Sequence, residues 1–260
     1  MGNNNYRIGI DVGGTFTDVV LIHNETGELF VTKVLNRHIN RDETVLEGIK
    51  RLLISNDVSF ADIEYISHGT TITTNTVIER KGAKTALITN QNFRDILEIG
   101  RFARPAELIY RVHEDKPSPL VPRYLRYGVP CRIDRHGEIF TPLDVRRLSE
   151  IVESLEKERV ESVAVCFLFS FLNPSHEKQV RNILSASLPH IEVVLSSEIL
   201  REFREFPRTS TTVFSAYVAP VLRSYISSLV ERFAVNKICL LYTSDAADEG
   251  LGVDLGGRRI

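Results

Sequence analysis

The sequence predicts an α/β protein: a mixed sheet with helices on its faces, followed by a second, smaller α/β segment. Three observations predict it. Alternating apolar runs over 6–12, 17–23 and 28–34 are joined by the short linkers "GGTF" and "NETGE", which reads as a three-stranded meander. From residue 43 onward, helix-period segments alternate with strand-like runs, which requires crossover connections and therefore parallel strands. After a proline-rich interval the same alternation resumes around "VESVAVCFLFS", a buried strand.

Taken in order, Val45, Leu46, Ile49, Leu52 and Leu53 lie at helical spacing and predict a helix over 43–55 with Asp42 as its N-cap. "IEYIS" is a fourth strand. A threonine-rich segment then enters a helix ending at "ERKG", with Gly82 suited to the C′ position. "KTALIT" is a fifth strand and "NFRDILEIG" a helix, on which Arg94, Asp95, Glu98 and Arg101 are spaced for intrahelical ion pairs. A meander followed by helix, strand, helix, strand, helix gives a mixed five-stranded sheet on the ribonuclease-H-like plan, over residues 1–100.

Six of the ten prolines fall in 101–142, with a hairpin at "DRHGE", so this stretch reads as an insertion or arm outside the core. Residues 143–200 form the second α/β segment: "PLDVRRLSEIVESLEKE" as a helix, the buried strand, "NPSHEKQVRNILSASL" as a helix, and "IEVVLS" as a strand. In "NPSHE", Asn173 is an N-cap, Pro174 a first helical residue and Glu177 a first-turn acid. Capping accounts for the motif and leaves His176 without chemistry. Residues 201–238 begin a long, largely helical segment with Pro220 as a kink site. The final stretch, 239–260, resembles a translated sequencing-library adapter, so the natural sequence is expected to be truncated after Ile238.

A net charge of −2 on 260 residues excludes charge-driven binding to nucleic acid or an anionic membrane surface. No apolar run approaches the ~20 residues of a bilayer span. The amino terminus lacks the features of a signal peptide, and three widely spaced cysteines suit a reducing compartment, so a cytoplasmic location is expected.

The chemistry concentrates at "IDVGGTFTDVV". A hairpin turn alone could explain Gly13 and Gly14. Three features point further: Asp11 at the end of a buried strand, where a carboxylate is costly unless paired or metal-linked; Thr15 and Thr17 beside glycines whose amides can approach an anion; and a second acid, Asp18. Together they suit a triphosphate cradle with a Mg²⁺-attracting carboxylate. The Gly-Lys-Ser/Thr ending of a P-loop is missing, and a strand follows where a P-loop has a helix.

His68, Gly69, Thr70 and Thr71 lie at the carboxyl end of a predicted parallel strand, with Asn75 one turn further. They could line a cleft. Equally, Thr70 or Thr71 could cap the next helix and His68 be a hydrogen-bonded core residue. Arg204 and Arg208 in "SEILREFREFPRTSTT" are anion-contact candidates, with packing and partner contact as alternatives.

"D-x-G-G-T-x-T-D" resembles the first phosphate loop of the actin-like ATPase and sugar-kinase superfamily. "HGTTITTNTVIERKGAKTALITNQNFRDILEIGR", "NPSHE" and "SSEILREFREFPRTSTTVFSAYVAPVL" resemble the N-terminal region of the hydantoinase A/5-oxoprolinase family, which includes the acetone carboxylase β subunit. The resemblance implies ATP and Mg²⁺ as cofactors. Asp11 would hold Mg²⁺ through water and act catalytically with His68. Gly13, Gly14, Thr15, Thr17 and Asp18 would bind the nucleotide, and Gly69, Thr70, Thr71 and Asn75 would face the substrate. It implies an ATP-dependent hydrolase of small cyclic amides partnered by a B-type subunit or fused domain. The alternatives are ketone activation of the acetone-carboxylase type or a non-catalytic ATP-binding regulator. A second lobe would complete the nucleotide site, so this chain alone is expected to be inactive.

Overall fold

A computed structural model of the chain describes residues 5–36, 41–101 and 117–235. The adapter-like tail lies outside the described residues. The chain divides into two units, one of residues up to Lys81 together with those from Val221, the other of Gly82–Pro220.

The first unit opens with the predicted meander: β1 (Tyr6–Val12), β2 (Phe16–His23) and β3 (Leu29–Leu35). β4 (Ile63–Thr70) lies parallel to β1, giving the order β3-β2-β1-β4. Strand alternation sends Ile8, Ile10, Val12, Thr17, Val19 and Leu21 to the buried face. Helix α1 (Arg41–Ser55) covers that face with Val45, Ile49, Leu52 and Leu53, the residues whose spacing predicts it. It can approach because Gly48 has no side chain: a Cβ there would stand 2.7 Å from Val19 Cγ2. A short helix, α2 (Ile72–Ile78), follows β4.

The second unit is an open sheet of four parallel strands. β5 (Thr85–Asn90) is followed by the one-turn helix α3 (Ile96–Ile99), β6 (Arg126–Val129), and a hairpin of β7 (Arg132–Ile133) and β8 (Ile139–Thr141). Then come α4 (Val145–Lys157), β9 (Ser162–Cys166), α5 (Ser175–Ser187), β10 (Glu192–Leu195) and α6 (Ser196–Ile199). The strand order is β10-β9-β5-β6. Helix α7 (Glu205–Val235) contributes its part up to Pro220 to this unit and the remainder to the first. By length and composition α7 could cross a bilayer, but half of its apolar stretch is buried within the protein, the pattern of a core helix.

Five expectations are corrected. The "KTALIT" strand does not complete the first sheet; all six residues of β5 are buried and it pairs with β9 and β6. An apolar run of this length fits any buried parallel position, so its own letters cannot choose the sheet. Second, of the proline-rich stretch 101–142, residues 102–116 lie outside the described residues, and the described part from 117 onward contributes to the core: β6 is an edge strand of the second sheet, and Val121, Leu125, Val129, Cys131 and Ile133 are buried. Four residues are too few to show alternation. Third, Asp95 and Glu98 pair across to Arg123 and Arg126 (2.8 and 3.0 Å), because α3 is a single turn with no room for intrahelical partners.

Fourth, Asp42 lies inside the first turn of α1, where its carboxylate accepts from Ser228 and Arg232 of α7. Burial alone would raise this carboxyl, but the Ser228 and Arg232 contacts outweigh it and hold it below the usual carboxylate range.

Fifth, Gly82 is not the C′ residue of α2. The helix ends at Ile78, and Arg80 takes the left-handed conformation with φ 55°. Gly82 is required by contact instead: a Cβ there would stand 2.1 Å from Cε1 of the buried Tyr217. Gly82→Ala should therefore displace that ring, which also shares a segment tied by Ala83 N to Tyr217 O (3.0 Å). The expected cost is about 1–3 kcal/mol, read as a lower urea midpoint at unchanged slope. An unchanged midpoint would mean the ring moves aside freely.

Candidate functional site

The β1–β2 ladder runs in register to Val12 opposite Thr17, and Gly13 N donates to Phe16 O at 3.0 Å. Gly14 and Thr15 are thereby left exposed at the tip of a tight loop. A residue with no recognisable signature in the sequence fixes the loop's shape. Asn36, immediately after β3, is buried and makes three bonds to it. Its Oδ1 accepts from Thr17 Oγ1 (2.6 Å), its Nδ2 donates to Gly13 O (2.8 Å), and its backbone N–H donates to Thr15 O (2.8 Å). Nothing in "KVLN" marks that role, because it depends on β3 lying beside β2.

Asp11 faces the side of the sheet opposite the core. It is exposed, not buried, so desolvation is not what constrains it. Among the described residues its carboxylate has no hydrogen-bond or ion-pair partner. It lies opposite Asp18 on β2 and beside Gly69 on β4, with Oδ1 3.8 Å from where a Gly69 Cβ would be. Gly69 thus leaves room for the acid. Asp18 pairs with Lys33 at 3.1 Å, which offsets the repulsion between two neighbouring carboxylates.

β4 continues to Thr70, and the next residues bring α2 against the loop. Thr71 N donates to Val12 O (3.1 Å). Thr70 Oγ1 accepts from Ile72 N (3.2 Å), so it is the threonine whose side chain caps α2. Asn75 Nδ2 donates to Thr71 Oγ1 (3.1 Å) and stands 3.7 Å from the position of a Gly14 Cβ. Asp11, Gly13, Gly14, Thr15, Gly69, Thr70, Thr71 and Asn75 therefore gather at one end of β1 and β4.

Of the three remaining predicted site residues, Asp18 stands opposite Asp11 and is tied to Lys33, while Thr17 and His68 turn to the core. Thr17 is fully buried, and the one hydrogen of its hydroxyl is committed to Asn36. His68 is one position from Gly69, so strand alternation turns it to the core face, opposite Asp11. It is 5% exposed, and Nε2 lies 3.0 Å from Tyr225 Oη on α7. Burial pushes its pKa down to about 4, so the imidazole is neutral at pH 7. Of the two readings of His68, the geometry gives the hydrogen-bonded core residue.

In the second unit, Glu177 proves to be more than a first-turn acid. It is fully buried and accepts from Phe167 N (3.0 Å), Ser196 Oγ (2.6 Å) and Ser197 N (2.9 Å). His176 beside it is also buried, and Asn173 Oδ1 caps by accepting from Ser175 N (3.0 Å).

Comparison with known proteins places these elements. Residues 7–188 match the hydantoinase/oxoprolinase N-terminal region. The chain is 32% identical over 233 residues to caprolactamase subunit alpha of Pseudomonas jessenii, covering 88% of this chain and 33% of that one. It is 30% identical over 254 residues to 5-oxoprolinase 1 of Arabidopsis thaliana, covering 87% and 20%. The nucleotide-free structure of acetone carboxylase, described for ATP-dependent acetone carboxylation, superposes with a TM-score of 0.82 at 26% identity, covering 92% of this chain and 36% of that one. The chain thus spans a third or less of the length of these curated relatives.

Proposed function

Because this chain belongs to the hydantoinase/oxoprolinase N-terminal family and has the actin-like ATPase fold, we propose that it is the phosphate-holding part of an ATP-dependent hydrolase of small cyclic amides. The observation that carries the reading is the loop itself: exposed Gly14 and Thr15 held by Asn36, with an unpartnered carboxylate on one side and the Asn75 amide on the other.

An amide carbonyl is a poor electrophile. Attack of its oxygen on the γ-phosphorus of ATP, with ADP leaving, gives an imidate phosphate. Water then adds at carbon, cleavage of the ring C–N bond expels the amine and leaves an acyl phosphate, and a second water hydrolyses this to the carboxylate and inorganic phosphate. In such transfers the protein's task is positioning and charge neutralisation. The Gly14 and Thr15 amides and the Thr15 hydroxyl would hold phosphate oxygens, with Asn75 donating from α2. Asp11 fits a water-mediated Mg²⁺ site, being an exposed acid whose carboxylate has no partner among the described residues; bound Mg²⁺ would neutralise phosphate charge. Thr70 and Thr71 shape the turn between β4 and α2, and Gly69 keeps the neighbouring strand clear of Asp11. Asp18, tied to Lys33, orders the strand opposite. A B-type subunit or fused domain and a cytoplasmic setting complete the proposal.

The likeness to acetone carboxylase favours one second reading, ATP-dependent activation of a ketone. The test is phosphate release by a full-length member carrying this sequence, produced with its B-type partner. It is challenged with 5-oxoproline, hydantoins, lactams, and acetone with bicarbonate. Stimulation by a cyclic amide with ring-opened product supports the proposal. Stimulation by the ketone alone selects the second reading, and nucleotide binding without any stimulation selects a regulator.

A further inference from the structure

The second unit contains a cation that its own structure leaves incompletely satisfied. Arg208, in the first turn of α7, is 2% exposed. Its Nη2 donates to Phe167 O, and Cζ lies 5.4 Å from the centroid of the Phe171 ring. Its Nε and Nη1 are buried and have no acceptor among the described residues. A guanidinium carries five N–H donors and is never deprotonated, so burying it is costly unless acceptors replace the lost water. Glu177 shares the neighbourhood, taking the N–H of the same Phe167 whose carbonyl Arg208 binds. Its oxygens, however, are engaged by Phe167 N, Ser196 Oγ and Ser197 N.

The contact of Arg208 with Phe167 O places its guanidinium beside the carboxyl end of β9. In the order β10-β9-β5-β6 the chain runs from β5 to β6 on one side and from β9 to β10 on the other, so the winding reverses between β5 and β9. Open parallel sheets receive ligands beyond the carboxyl ends of the strands at such a reversal. β5 ends at Asn90, and β9 ends at Cys166, next to Phe167. Asn90 joins the two ends, its Oδ1 accepting from Leu168 N (2.7 Å) and its Nδ2 donating to Cys131 O (2.7 Å). The carbonyl that Arg208 grips is therefore at this crevice. Two more arginines precede α7: Arg201 and Arg204 are exposed, and Arg201 Nη2 donates to Phe171 O of the same loop at 3.4 Å.

We propose that this crevice binds a small oxyanion, a carboxylate or a phosphoryl group, with Arg208 as its inner partner and Arg201 and Arg204 at the rim. The planar guanidinium suits such oxygens better than a lysine would. All the residues named belong to the second unit, whereas the loop at Gly13–Phe16 belongs to the first.

The test observes Arg208 directly in the ¹⁵N-labelled chain. Its Nε–H resonance is assigned by its loss in Arg208→Met or, should that variant fail to fold, by through-bond correlation in the unsubstituted chain. Inorganic phosphate and acetate are titrated separately against sodium chloride at matched ionic strength. A saturable shift with phosphate, acetate or both, and none with chloride, supports the site. Phosphate alone identifies a phosphoryl ligand, and acetate alone a carboxylate. In calorimetry Arg208→Met should weaken the effective anion by about tenfold or more, the worth of one charged hydrogen bond. A resonance that neither anion moves would overturn the proposal and leave a buried water as the partner.

Discussion

Asp11→Ala should reduce substrate-dependent ATP turnover in a full-length member by roughly 10²–10³-fold, the usual scale for losing one preorganised charge at a transferring group. The reasoning is geometric. Asp11 is exposed at the loop, without a partner among the described residues, so removing it breaks no contact that holds the fold. Stability should remain close to that of the parent while activity falls, and raising the Mg²⁺ concentration should recover part of the loss. Asp18→Asn offers the contrast. Its carboxylate is engaged with Lys33 in a partly exposed pair, and such pairs are worth about 0–1 kcal/mol. Asn36→Ala should fall between them, weakening nucleotide binding because the loop loses the Thr17 and Gly13 bonds. Undiminished turnover in Asp11→Ala would remove that carboxylate from the chemistry.

The contrast among these three residues shows what the sequence could and could not reveal. The meander was legible because alternation and turn residues are local properties: β1, β2 and β3 fall within a residue of the predicted runs. So was α1, whose apolar period is set by one buried face. Sheet membership was not, because β5 pairs with β6 and β9, which lie dozens of residues further along the chain. The loop was legible as a cluster of small residues, hydroxyls and acids, yet its internal division was hidden. Thr15 and Thr17 are alike in sequence, and only the pairing of Val12 with Thr17 shows that the second faces inward. The same parity separates His68 from Gly69. Asn36 and Glu177 were missed as organising residues for a different reason: each acts through hydrogen bonds to segments distant in sequence, and a lone asparagine or a first-turn glutamate has commoner explanations.

Glu177 supports the largest stability prediction. Glu177→Ala should cost about 3–5 kcal/mol, since it deletes a buried anion and strands the donors that faced it. Those donors are the N–H groups of Phe167 and Ser197 and the Ser196 hydroxyl. Together they tie the end of β9 to the start of α6, so the change loosens the join between two neighbouring strands of the second sheet. Ser170 extends the network, its Oγ lying 3.1 Å from Ser196 Oγ, and it gives the substitution no replacement acceptor of equal charge. Glu177→Gln preserves shape and one carbonyl oxygen but turns an amide NH₂ toward a donor, so it should cost less than alanine and more than a surface exchange. Urea unfolding followed by circular dichroism separates the cases. A lower midpoint in the order parent, Gln, Ala is expected, and a Glu177→Ala midpoint equal to the parent's would show that the carboxylate merely fills space.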